Sequence, residues 1–106
     1  MTYLTALCPG VDLGTAAVIV PWHDPLRVAE QAAILDHVSK GRLRFGIGRG
    51  LSRREFAHFR GPIAMDETRE RFDEAAPMIV NALNTGFIEG DGKFYKQPRI
   101  EIRPRP

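Results

Sequence analysis

Arg49 stands between Gly48 and Gly50 in the run KGRLRFGIGRG, residues 40–50. A guanidinium carried on a turn stripped of side chains can grip a phosphate through two parallel hydrogen bonds. Glycines at such a place let a ligand or another backbone come close. The same residues also read as a plain glycine turn with a solvated arginine. Upstream, Trp22 and His23 follow a second apolar run. Trp22 is either a packed lid or a stacking partner. His23 is either an ordinary loop histidine or a hydrogen-bond donor to something bound. One aromatic ring, one titratable ring and one fixed cation at a common mouth suit a flat anionic ligand. Two phosphate-binding patterns do not apply. The dinucleotide fingerprint G-x-G-x-x-G fails at Leu51, and G-x-x-x-x-G-K-[ST] is absent.

For these residues to meet, the elements around them must bring two loops together. Leu13–Val20, LGTAAVIV, is a continuous apolar run and predicts a buried parallel strand, which Pro21 ends. Asp24 is a good N-cap and Pro25 suits a first helical turn. The helix then runs to about Ser39, with Val28, Ala29, Ala32 and Leu35 as its apolar stripe. Asp36 and His37, near its end, read as salt-bridge or solvated residues. Gly41 supplies a left-handed cap, and Leu43–Gly48 reads as the next strand. Strand, helix, strand makes a right-handed βαβ unit. Ligands bind at the carboxyl ends of such strands. Val20–Asp24 and Gly48–Leu51 are therefore expected side by side, and Val20, Pro21, Trp22, Gly48, Arg49 and Gly50 are the candidate binding residues. Two parallel strands with one helix cannot bury both sheet faces.

The remainder is helical and then extended. Thr2–Ala6 is a helix tail or a frayed start, and Pro9-Gly10 is a turn. Ser52 and Glu55 form an S-x-x-E capping box ahead of a short helix from about Arg53 to Phe59, with Phe56 and Phe59 packed and His58 at the surface. Gly61-Pro62 breaks it. Asp66 is expected to cap the longest helix, to about Thr85, with Phe72, Ala75, Ala76, Ile79, Val80 and Leu83 on its apolar face. Its first half is acidic, which suits the helix dipole. Pro77 is a misfit there, tolerable as a bend because it lies off the stripe. Phe87–Tyr95 reads as a hairpin with Asp91-Gly92 in the turn. Ile100–Ile102 alternates weakly, and Arg103–Pro106 reads as an exposed, extended linker.

Composition excludes more than it selects. At 106 residues the chain is one domain at most, and 43% hydrophobic with 26% charged residues is ordinary for a soluble protein. A net charge of +2 argues for neither nucleic acid nor membrane. The single Cys8 makes no internal disulfide, so a reducing cytoplasm is the default location. No run approaches a membrane span, Met1–Pro9 lacks the basic start of a signal peptide, and no metal site is expected. Lys40, Arg42, Arg44, Arg49, Arg53, Arg54 and Arg60 face only Glu55 within residues 40–60. Such a run could bind a phosphate backbone. A solvated surface balanced by the acidic helix is the preferred reading.

GRLRFGIGRGLSRREFAHF closely resembles the fourth strand and following loop of bacterial luciferase-like, flavin-dependent monooxygenases. LGTAAVIVPWHDPLRVAEQAAILDHVSKGR resembles that family's third strand and helix, and ETRERFDEA and EGDGKFY the segments after its fourth strand. The resemblance is collinear over residues 13–106. It implies an α/β fold, a partial (β/α)8 TIM barrel of about two βα units with a hairpin-like C-terminal extension, in a single domain over residues 1–106. A whole barrel takes about 250 residues, so the chain is expected to be its middle. The resemblance further implies FMN as cofactor, with Arg49 on its phosphate, the end of the first strand against its ring, and His23 a weak catalytic candidate. Reduced flavin and oxygen would oxidise a small organic substrate, with a flavin reductase supplying electrons. Some relatives use the deazaflavin F420 and transfer hydride instead. The family's helices in this region build a subunit interface, so a homo- or hetero-oligomer, or a non-catalytic partner subunit, is also implied.

Overall fold

Each expected strand is broken in the middle. The computed structural model describes residues 1–59 and 65–106. Arg60 and the helix break at Gly61-Pro62 lie outside the described residues, as does the side chain of Phe59. Strand β1 (Leu13–Gly14) pairs in parallel with β3 (Leu43–Arg44), and β2 (Val18–Ile19) pairs in parallel with β4 (Ile47–Gly48). The register passes from Leu13↔Leu43 and Gly14↔Arg44 to Val18↔Ile47 and Ile19↔Gly48. The first segment spends three residues between the pairings, 15–17, and the second only two, 45 and 46. The extra residue is a bulge, and the peptide between Ala16 and Ala17 within it is cis. A continuous strand was the expectation because an apolar run carries no signal for an inserted residue.

Helix α1 (Thr2–Leu7) precedes β1, and α2 (Pro25–Ser39) links the paired segments. Asp24 caps α2 as expected, its Oδ1 accepting from the Leu26 and Arg27 amides at 2.9 and 3.3 Å. At the other end Lys40 itself takes the left-handed cap, with φ 58°, and Gly41 follows at 78°. Helix α3 (Arg53–Phe59) begins as the capping box predicts, the Glu55 amide donating to Ser52 Oγ at 3.3 Å.

The core lies between α2 and α4 (Met65–Thr85). Val28, Ala29 and Ala33 of α2 meet Ala75, Met78, Ile79 and Ala82 of α4, with Val20, Ile88, Tyr95 and Ile102 closing the cluster. Small alanines on both helices allow close approach. The buried face of α4 is rotated from the expected stripe: Val80 is 49% exposed and Met78 is buried. Asp66 lies within the first turn instead of capping it, because the helix already begins at Met65. Pro77 is accommodated inside α4 on the exposed side.

Strands β5 (Phe87–Asp91) and β6 (Lys96–Glu101) form the antiparallel hairpin. The second strand starts later than expected, and the register shifts between Ile88 and Gly90 opposite Pro98. Proline has no N–H for the ladder, so a bulge suits it. Glu74 of α4 fastens the connecting loop, its Oε2 accepting from the Phe94 and Tyr95 amides at 2.7 and 3.1 Å. The tail is not a free linker. Ile102 is fully buried, the Arg103 amide donates to Glu30 Oε1 at 3.0 Å, and His37 Nε2 donates to the Arg105 carbonyl at 2.6 Å. Two side chains of α2 therefore strap the tail down, while the Arg103 and Arg105 side chains stay exposed.

The molecule measures 41 × 32 × 16 Å, a slab about one helix and one strand layer thick. No residue of β1–β4 is fully buried, although parallel strands are normally covered on both faces. Among the described residues these strands are thus only partly covered.

Candidate active-site mouth

Ile19 and Gly48 are the last paired residues of β2 and β4, so the two following turns leave the sheet side by side. On one side, Val20–Trp22 coil into a single 3-10 turn, closed by the His23 amide on the Val20 carbonyl at 3.0 Å. The Val20 side chain is fully buried in the core and Pro21 is buried with it. Only their backbone can face a ligand. Trp22 is half-buried and His23 is exposed. The structure thus leaves His23 exposed and Trp22 half-buried, above core residues that anchor the turn beneath them.

On the other side, Gly48 is half-buried, Arg49 exposed and Gly50 half-buried. Gly50 has φ +80°, and a Cβ there would come within 2.8 Å of the Phe56 ring and 2.9 Å of Ile19. Glycine is required at this position by both conformation and space. The Phe56 ring, 1% exposed, also meets Trp22 edge to face, with centroids 5.7 Å apart and planes at 68°. Phe56 is therefore the wall on which both turns rest. Sequence reasoning placed it on a packed face, and the capping box at Ser52 fixed its position in α3. The role at the mouth was not read, because nothing local links Phe56 to Trp22.

The basic run divides once its partners are visible. Arg42 spends its guanidinium on main-chain carbonyls: Ser39 at 2.8 Å, Cys8 at 2.8 Å, Val11 at 2.6 Å and Thr5 at 2.9 Å. Arg44 pairs with Asp12 at 2.7 Å. Arg49 makes no hydrogen bond or ion pair with a described residue, and Arg53 and Arg54 are exposed. Among the described residues Arg42 and Arg44 are thus committed to local partners, while Arg49, at the end of β4, is exposed. Among the described residues no His, Cys, Asp and Glu cluster able to hold a metal ion occurs, and no helix is long and apolar enough to cross a membrane.

The family model described as luciferase-like monooxygenase matches residues 1–106, the whole chain. The chain belongs to the luciferase-like monooxygenase family. It is 34% identical over 95 residues to the alkanal monooxygenase alpha chain of Aliivibrio fischeri, covering 90% of this chain and 26% of that one. It is 31% identical over 102 residues to the alkanal monooxygenase beta chain of Photorhabdus laumondii, covering 96% and 31% respectively. Among solved structures, the monooxygenase RslO1 from Streptomyces bottropensis superposes with a TM-score of 0.90 at 34% identity, over 98% of this chain and 31% of that one. The chain thus spans roughly a quarter to a third of the length of these relatives. This luciferase-like chain has a mixed α/β fold with small sheets, and its two adjoining turns lie within the stretch shared with RslO1.

Proposed function

We propose that this chain is the cofactor-facing segment of a flavin-dependent monooxygenase, the third and fourth βα units of a (β/α)8 barrel. The observation that supports the reading is the pairing of Ile19 with Gly48, from which the turns carrying Trp22, His23 and Arg49 leave the sheet at the same end. The residues fit FMN: an exposed guanidinium on a glycine turn suits the phosphate, and the open strand-end backbone with Trp22 suits a flat ring. When bound, the flavin in its reduced form would activate oxygen for insertion into a small organic substrate. The protein's share is positional. Arg49 holds the phosphate, Phe56 and Val20 fix the two turns, and His23 donates a hydrogen bond at the open side. F420 is the alternative cofactor, a flavin reductase the electron source, and the cytoplasm the location.

The test is titration of the chain with FMN and with riboflavin, followed by quenching of Trp22, the only tryptophan. FMN is expected to quench at lower concentration than riboflavin. Absence of quenching by either, here and in a chain extended to the length of the relatives, would remove the flavin reading.

A second reading is favoured by one surface. Tyr3, Leu7 and Val11 are 74%, 57% and 56% exposed, and Ile34 and Val38 on α2 are 44% and 47% exposed. Exposed apolar residues on α1, on the loop after it and on α2 suit a subunit interface, with a second copy or a homologous chain as the occupant. Sedimentation over a range of concentrations decides it: a dimer supports the interface, and a monomer throughout excludes a second copy.

A further inference from the structure

The break in the parallel pairing is closed by a side chain. Thr15 Oγ1 donates to the Gly46 carbonyl at 2.8 Å and accepts from the Gly46 amide at 2.9 Å. The Thr15 amide donates to the Arg44 carbonyl at 3.1 Å, and the Val18 amide donates to the Gly46 carbonyl at 3.0 Å. One hydroxyl thus gives the Gly46 amide its acceptor and adds a second donor to a carbonyl already held by the Val18 amide, bridging the two short ladders. A Cβ at Gly46 would run into the Thr15 main-chain carbonyl, so the approach that lets the hydroxyl reach both groups requires glycine at 46.

Beyond this bracket each segment pairs through two residues before its turn begins. So short a pairing does little to choose its own register. The upstream register, continued without the bulge, would set Ile19 opposite Arg49 instead of Gly48. Arg49 would then lie within the ladder and not beyond it. We propose that Thr15 is a positioning residue for the mouth, its hydroxyl selecting the register that leaves Arg49 just past the last pair. What Arg49 then grips rests on the flavin reading; the choice of register does not.

Thr15→Val keeps the shape and removes both bonds, and Thr15→Ser keeps both bonds. Thr15→Val is expected to move the amide resonances of Val18–Trp22 and Ile47–Gly50 while leaving α4 and the hairpin unchanged. It should also cut the preference for FMN over riboflavin roughly tenfold, two lost hydrogen bonds being worth about that factor. Thr15→Ser should restore both readouts to within about twofold of the native chain. Resonance changes confined to Thr15 and Gly46, or an unchanged flavin preference in folded Thr15→Val, would overturn the proposal. A native chain that binds neither flavin refutes the flavin reading, and the resonances then decide the register role by themselves. Should Thr15→Val fail to fold, Thr15→Cys carries the same test, its thiol being a weaker donor of similar size.

Discussion

Trp22 meets Phe56 edge to face, with ring centroids 5.7 Å apart, and so ties the loop after β2 to the helix after β4. These rings belong to different βα units. Their contact is a side-chain link between the two halves of the mouth.

Phe56→Ala should therefore cost about 3–5 kcal/mol, the usual range for emptying a buried phenylalanine site. Urea denaturation measures the loss. Because Trp22 is the sole tryptophan, its emission should also move to the red in the folded variant. Unchanged emission would mean that Phe56 does not shield the indole.

Arg49→Ala should weaken FMN about tenfold or more, a charge-assisted bond being worth about 1.5–3 kcal/mol. Riboflavin, which has no phosphate, should be nearly unaffected. Arg49→Lys should recover only part, since an ammonium lacks the two-pronged geometry. Equal losses for both flavins would leave Arg49 as a residue of the glycine turn alone. A general basic surface would instead make Arg53→Ala as harmful as Arg49→Ala, with steep salt dependence and competition by nucleic acid.

Arg42 makes the opposite prediction: stability without binding. Removing its four carbonyl contacts in Arg42→Ala should cost about 2–3 kcal/mol and release α1. Arg44→Ala, which breaks a bridge whose side chains are 72% and 50% exposed, should cost under about 1 kcal/mol. Thermal or urea unfolding separates the two, and similar losses would contradict the division of the basic run.

Asp91 supplies a pH dependence. Its hydrogen bond from Lys96, followed by the Lys96 charge, holds the carboxyl below the ordinary aspartate value of 3.8. The folded state therefore favours the ionised form. That contribution is full above 3.8 and is lost as the pH falls through the lower folded value. Asp91→Asn should flatten the acid limb of hairpin stability, read from amide exchange in β5 and β6. Both groups are exposed, so added salt should erase the difference; a difference that survived high salt would argue against an ion pair.

Helices were legible because their signals are local. Asp24-Pro25 and Ser52–Glu55 marked two starts, and Ala75 and Ile79 were read on the buried side of α4, whereas Met78 and Ala82, also buried there, lay off the expected stripe. What stayed hidden depends on residues far apart in the chain. Nothing in LGTAAVIV announces that Thr15 must satisfy Gly46, thirty-one positions away. Nothing in RPRP says that Glu30 and His37 wait for its backbone. What was legible near the mouth is the parallel pairing of the two strand ends, Ile19 with Gly48, from which the turns carrying Trp22, His23 and Arg49 start. Val20 and Pro21 turned inward because the apolar face of α4 needs covering, a demand set by a helix some fifty residues later.

The strap over the tail has a lopsided grammar. Glu30 and His37 contribute side chains, whereas positions 103 and 105 contribute only main chain. Almost any residue with a free amide can be held at 103, and any residue at all has a carbonyl to offer at 105. The identity of the tail is thus written in α2. The Arg103 and Arg105 side chains take no part in the strap and turn instead to Glu101, at 3.4 and 3.7 Å, while a change at Glu30 or His37 would alter the path of a segment more than sixty residues away.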